Sequence, residues 1–222
     1  MTSLLLTVLP LALGAAVSPM LFGIEVLALT SKEHSRIRGW MVALGAFSLL
    51  MAFAAVVIVL GSSLPTEHPH PHIDAAIDLT AAVALAILAG RTLLRSRHPR
   101  PAKTPGLTDR LATASTAQFF VAGMAAMVLN ASSLVLFVPA LRAITRSHAG
   151  IDATITCFVV LVVITLITVW LPVGAVTVLG HRADPALRAM GGFMDRHAAA
   201  ITIVIEFVFI VYLTIKGAGE LL

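Results

Sequence analysis

The chain has 222 residues, of which 59% are hydrophobic and 12% charged, and its mean hydropathy is +0.99. A soluble domain is about 25% charged, so this chain has too little polar surface to coat a globule in water. The net charge of +4 comes from cations standing in short patches between long apolar blocks with few aromatics, a pattern that excludes a nucleic-acid-binding domain and reads as membrane topology.

The first apolar block, 4–29, has no Lys or Arg before it and is too long for a signal-peptide core, so a retained first span is expected. It contains Ser18 and Pro19, followed by Glu25. Pro19 lacks an N–H and frees a carbonyl one turn upstream. At membrane depth such a carbonyl persists only where protein or water supplies a partner, and Ser18 is one within reach. A plain packing kink is the alternative. Glu25 stands towards the cytoplasmic end of this span at a depth comparable to Arg91 in the third, so a structural Glu25–Arg91 ion pair is expected. The second block is 38–60. The loop after it carries His68, His70 and His72, with Asp74 next. Imidazoles and carboxylates suit Zn, Ni or Cu, but the interleaved prolines stiffen the segment and do not by themselves converge three rings on one ion.

The third block is 73–94. The basic, proline-containing loop 95–115 then divides the chain into a first unit, 1–94, and a second, 116–222. The fourth block, 116–142, has Asn130, Ser132 and Ser133 at its middle and Pro139 beyond. Such small polar residues either join helices or line a substrate path. The fifth block is 151–179, and the first, fourth and fifth are all longer than one crossing needs, a surplus that tilt, a kink or a break absorbs. The sixth block, 197–219, places Glu206 at mid-span. An intramembrane acid is costly and functional by default, and Glu206 has no evident partner at its depth, so it is the residue expected to couple protons. Cys157 is the single cysteine, which excludes an internal disulfide and dithiol exchange. Nucleotide, hydrolase and zinc-protease motifs are absent from the sequence, so neither an enzyme nor a cofactor is expected.

Twelve of the 15 basic residues fall on one side of these six spans; the remaining three are Arg142, Arg146 and Lys216. The positive-inside rule makes the first side cytoplasmic and puts both termini outside, in a multi-pass protein of the inner (plasma) membrane. Two units of three spans enter the membrane in opposite senses. That is the plan of an inverted repeat, whose site lies at the midplane between interrupted helices.

The run from Val8 to Pro19 (Val-Leu-Pro-Leu-Ala-Leu-Gly-Ala-Ala-Val-Ser-Pro), the basic turn after it and Arg38-Gly39-Trp40 resemble the start of the Gap/Sap proteins. These are actinobacterial glycopeptidolipid- and sulfolipid-addressing proteins of the LysE exporter superfamily. Val128-Leu129-Asn130-Ala131, Leu171-Pro172 and the stretch 187–197 continue the likeness over essentially the whole chain. The sequence departs from it where relatives commonly carry Asn-Pro and this chain has Asn130-Ala131. The resemblance implies an all-α integral membrane fold of six helices in two inverted halves. It also implies translocation of a cell-envelope lipid or glycolipid to the outer surface, alone, as a homo-oligomer or beside a larger lipid exporter. Two other readings stay open. One is export of a cationic amino acid or divalent metal, which calls for acids around a midplane cavity and has only Glu25 and Glu206. The other is a non-transporting scaffold that recruits partners through the 95–110 loop.

Overall fold

Pro19 cannot donate a backbone hydrogen bond, and the first helix stops short of it. In the computed structural model, which describes residues 2–31, 34–62, 71–97, 114–147 and 150–219, helix α1 (Thr2–Ala16) ends there and α2 (Pro19–Leu29) begins with that proline in its first turn. The two helices are bent 59° from each other. Helix α3 (Ser35–Ser62) and helix α4 (Pro71–Arg97) follow unbroken. A second broken pair, α5 (Thr116–Leu129) and α6 (Ala131–Thr145), bends by 72° at Asn130. A third, α7 (Ile151–Thr165) and α8 (Ile167–Leu179), bends by 73° at Leu166. After a short 3-10 turn, α9 (Asp184–Gly219) closes the chain. Among the described residues all regular structure is helical.

Three helices are long and apolar enough to cross a membrane, and the count reaches six if each bent pair is one span. The three long blocks that exceed one crossing are the three broken ones, so breaks rather than tilt take up the surplus. The third break is not announced by a polar residue. It lies within two turns before Pro172, whose ring clashes with the preceding turn and whose missing N–H releases the carbonyl of residue 168. The last helix begins earlier than the apolar block does, at Asp184 rather than near 197, because the charged residues there still form good helix.

Burial is inverted relative to a water-soluble protein. Large apolar side chains such as Leu6, Val59, Val121, Val178 and Phe207 are well exposed, while Ser18, Glu25, Ser133, Thr165 and Glu206 are buried. In water an exposed apolar surface of this extent is a liability; in lipid it is the solvent-matched face, and polar groups turn inward.

The interior is held by close helix approaches. Helices α3 and α5 nearly touch at two glycines. A Cβ on Gly45 would lie 2.1 Å from the Phe120 carbonyl oxygen, and one on Gly123 would lie 2.2 Å from that of Val42. Small residues permit this backbone contact, the usual source of packing energy where lipid removes the hydrophobic drive. Helix α4 packs along α9, and α1 packs against α6 and α7. Trp170 on α8 meets both Trp40 and Phe47 of α3. One large apolar cluster, including Leu11, Leu50, Leu85, Phe119, Phe137 and Leu161, fills the space between them.

Candidate functional site

The first helix break leaves the Ala15 carbonyl without its helical donor, because residue 19 is proline. The structure supplies that donor from the second half of the sequence: the Ser133 hydroxyl donates to the Ala15 carbonyl oxygen. Ser133 in turn accepts from Asn130 Nδ2. Asn130 is itself the residue at the second break, with φ −84° and ψ 59° outside the helical range. The two breaks are therefore stitched together by one chain of hydrogen bonds, Asn130 to Ser133 to Ala15.

Ser18 does not serve the freed carbonyl as expected. Its backbone is extended (φ −133°, ψ 93°) and its Oγ accepts from the Leu21 N–H at 3.2 Å, capping α2 instead. The reason is geometric: an N-cap side chain points forward to the helix it begins, away from the turn behind it. Ser132 is half-buried on α6, beside the connection but not part of it.

The two intramembrane acids are both inside. Glu25 is fully buried, neither of its carboxylate oxygens has a hydrogen-bond partner, and Oε1 faces Gly39 of α3, where a Cβ would lie 2.8 Å from it. Arg91 is exposed on α4. The expected Glu25–Arg91 pair is not formed: comparable depth placed them on one level, but α2 packs chiefly on α3, α5, α8 and α9. Glu206 is 2% exposed, and its Oε2 is buried without a partner. Helix α9 runs antiparallel to α1 and α2, with Phe209 against Gly14 and Gly191 approaching Val26. At about 1.5 Å per residue, Glu206, one turn before Phe209, stands at the level of the α1–α2 break.

Four residues have surroundings that the sequence does not announce. Thr165 and Thr168 flank the third break with buried hydroxyls that have no partner. Arg38 was counted as a loop cation, yet it is 9% exposed. Its Nη2 donates to the Ala114 carbonyl at 3.2 Å and its guanidinium stands 5.2 Å from the centre of the Phe119 ring. Asp78, near the start of the third apolar block, is 3% exposed and ion-paired with Lys216 on α9.

Of the histidine loop, His68 and His70 lie outside the described residues, and His72 and Asp74 begin α4. Among the described residues no group of three or more His, Cys, Asp or Glu comes together as a metal site. The polar interior is thus a small, largely uncharged patch at the helix breaks, with one acid at its level and another a turn or two beyond Pro19.

The family model described as Sap, sulfolipid-1-addressing protein, matches residues 8–219. No curated protein and no solved structure matches the chain.

Proposed function

The chain belongs to the sulfolipid-1-addressing protein family, and from that premise we propose that it delivers a cell-envelope lipid or glycolipid to the outer surface of the plasma membrane. The observation that carries this reading is the family match over nearly the whole chain, on a fold whose outside is apolar and whose interior is polar at paired helix breaks. The activity is movement of an intact lipid, with no bond made or broken, acting alone or beside a larger exporter.

Two inverted halves provide the architecture. The helix contacts support it, because exchanging the halves carries one set into the other. Helices α4 and α9 pack together, α2 meets α9 as α6 meets α4, and the α1–α2 pair meets α7–α8 as the α5–α6 pair meets α3. The path runs past the Asn130–Ser133–Ala15 connection, where broken helices meet, as in transporters built from such repeats. Both termini face outward on this reading.

A second reading, proton-coupled export of a small solute such as a cationic amino acid or divalent metal, is favoured by one observation: Glu25 and Glu206 are buried with unpartnered carboxylate oxygens. Deleting the gene and comparing surface-extractable with whole-cell lipids separates the two. A lipid made in normal amount but missing from the surface supports delivery. Unchanged surface lipids with a new sensitivity to cationic amino acids or metals supports solute export instead.

A further inference from the structure

Glu25 and Arg38 are buried, carry opposite charges and stand on neighbouring helices, yet they do not pair. Neither carboxylate oxygen of Glu25 has a hydrogen-bond partner, and neither does the Arg38 Nε. Distance is not the obstacle. A Cβ on Gly39 would lie 2.8 Å from Glu25 Oε1, and Arg38 is the residue before Gly39. One Cα–Cβ bond and one Cα–Cα step of about 3.8 Å then put the Arg38 Cα at most roughly 8 Å from that oxygen. That is comparable to the reach of an arginine side chain. Arg36, two residues earlier on α3, stands instead beside Gly180 beyond the end of α8, with Nη2 3.4 Å from where a Cβ would lie.

What engages Arg38 is the start of α5. Its Nη2 donates to the Ala114 carbonyl just before that helix, and its guanidinium lies over the Phe119 ring in the first turn. The end of α2, the start of α3 and the start of α5 meet here. Glu25 belongs to the first broken pair, α1–α2, while Phe119 belongs to the second, α5–α6. Arg38 therefore stands between the two interrupted spans, bonded to one and a side chain's length from an unused acceptor on the other. Each of its two positions is incomplete. A neutral carbonyl and a ring face leave Nε unpaired and the Glu25 carboxylate alone, and an unpaired buried charge is costly. A carboxylate accepts two parallel N–H bonds from a guanidinium, but reaching it gives up Ala114 and Phe119. Gly39 keeps the second position accessible, since a side chain there would fill the space in which the Glu25 carboxylate meets α3.

We propose that Arg38 is a two-position switch at this end of the bundle. It is bonded to the start of α5 in the present arrangement, and it pairs with Glu25 when the start of α5 moves away from α3. The part this plays in moving a lipid rests on the function proposed above; the switch itself does not. The test uses the full chain in phosphatidylcholine nanodiscs, with Cys157→Ala and with spin labels attached through Met20→Cys on α2 and Ala117→Cys on α5, both exposed positions. Pulsed dipolar spectroscopy reads their separation. Phe119→Leu removes the ring beneath Arg38 and is expected to raise a second distance population at least tenfold over the parent. F119L/E25Q is expected to return that population to the parental level. Phe119→Met, which nearly keeps the volume and lacks the ring face, serves in the same pair of measurements where F119L does not fold. A second population equally large with and without E25Q, or none in either folded Phe119 variant, overturns the switch. In cells, E25Q is expected to lower the ratio of surface to total lipid at least threefold for the class that deletion affects. An effect of deletion without an effect of E25Q removes the switch from delivery, whereas no lipid effect of deletion overturns the delivery reading and leaves the switch standing.

Discussion

Replacing Ser133 by Ala removes one oxygen and almost no volume, so its effect isolates the hydrogen bond that joins the two helix breaks. The hydroxyl is 1% exposed, and its loss leaves the Ala15 carbonyl without a donor and Asn130 Nδ2 without its acceptor. An unsatisfied buried polar group costs about 1–3 kcal/mol, while interhelical hydrogen bonds in membrane proteins average about 0.6 and reach about 1.7. The carbonyl here has no alternative donor, since residue 19 is proline, so a value near the upper membrane figure, ~1.5 kcal/mol, is expected. Ser132→Ala is the matched control: the same atom is removed one residue away, outside the connection, and the change is expected to stay within about 0.5 kcal/mol. Cys157 supplies the assay, because it is the single cysteine and fully buried, so a maleimide reaches it only through opening of the fold. With about 1.4 kcal/mol per tenfold, Ser133→Ala is expected to label roughly ten times faster than the parent, and Ser132→Ala less than about three times faster. Equal rates for the two variants refute the proposal that Ser133 ties the breaks together.

The glycines give a second contrast. Gly123→Ala or Gly45→Ala drives a Cβ to within 2.2 Å of a backbone oxygen that cannot rotate away. A loss of about 1–3 kcal/mol is expected, whereas Gly90→Ala, with nothing within 4 Å, is neutral or stabilising by up to about 1 kcal/mol; the same thiol-labelling assay ranks them. Asp78→Asn leaves Lys216 facing a neutral group in a mostly buried pair. Removing one partner of a fully buried pair costs about 3–5 kcal/mol, but Lys216 is partly exposed, so about 1–2 kcal/mol is expected here, with part recovered in D78N/K216Q. Glu206→Gln keeps the shape of the side chain and is expected to preserve folding while abolishing the pH dependence of lipid delivery; a surface-lipid profile with unchanged pH dependence removes Glu206 from any coupling role.

Local chemistry carried part of this structure and tertiary contact the rest. The break at Pro19 and the interruption at Asn130 are readable because a missing N–H and a mid-span amide act within one turn. The long fifth block announced its surplus length but not its bend at Leu166, where the cause, Pro172, is displaced along the helix. The partner of the freed Ala15 carbonyl is 118 residues away, so no local pattern names Ser133 over Ser132 or Ser18. Depth alone paired Glu25 with Arg91, but depth fixes one coordinate and leaves open the choice of neighbouring helix. For the same reason Arg38 read as a loop charge. Arg142, Arg146 and Lys216, which stand apart from the other twelve basic residues, were legible as exceptions, while their convergence on one cavity belongs to the fold.

Delivery of a lipid to the outer surface is tested by the ratio of surface-exposed to total envelope lipid during controlled depletion and re-induction of the protein. The ratio for one lipid class is expected to fall on depletion while its total stays constant, and to recover on re-induction. A ratio that stays constant for every lipid class while the protein disappears contradicts it.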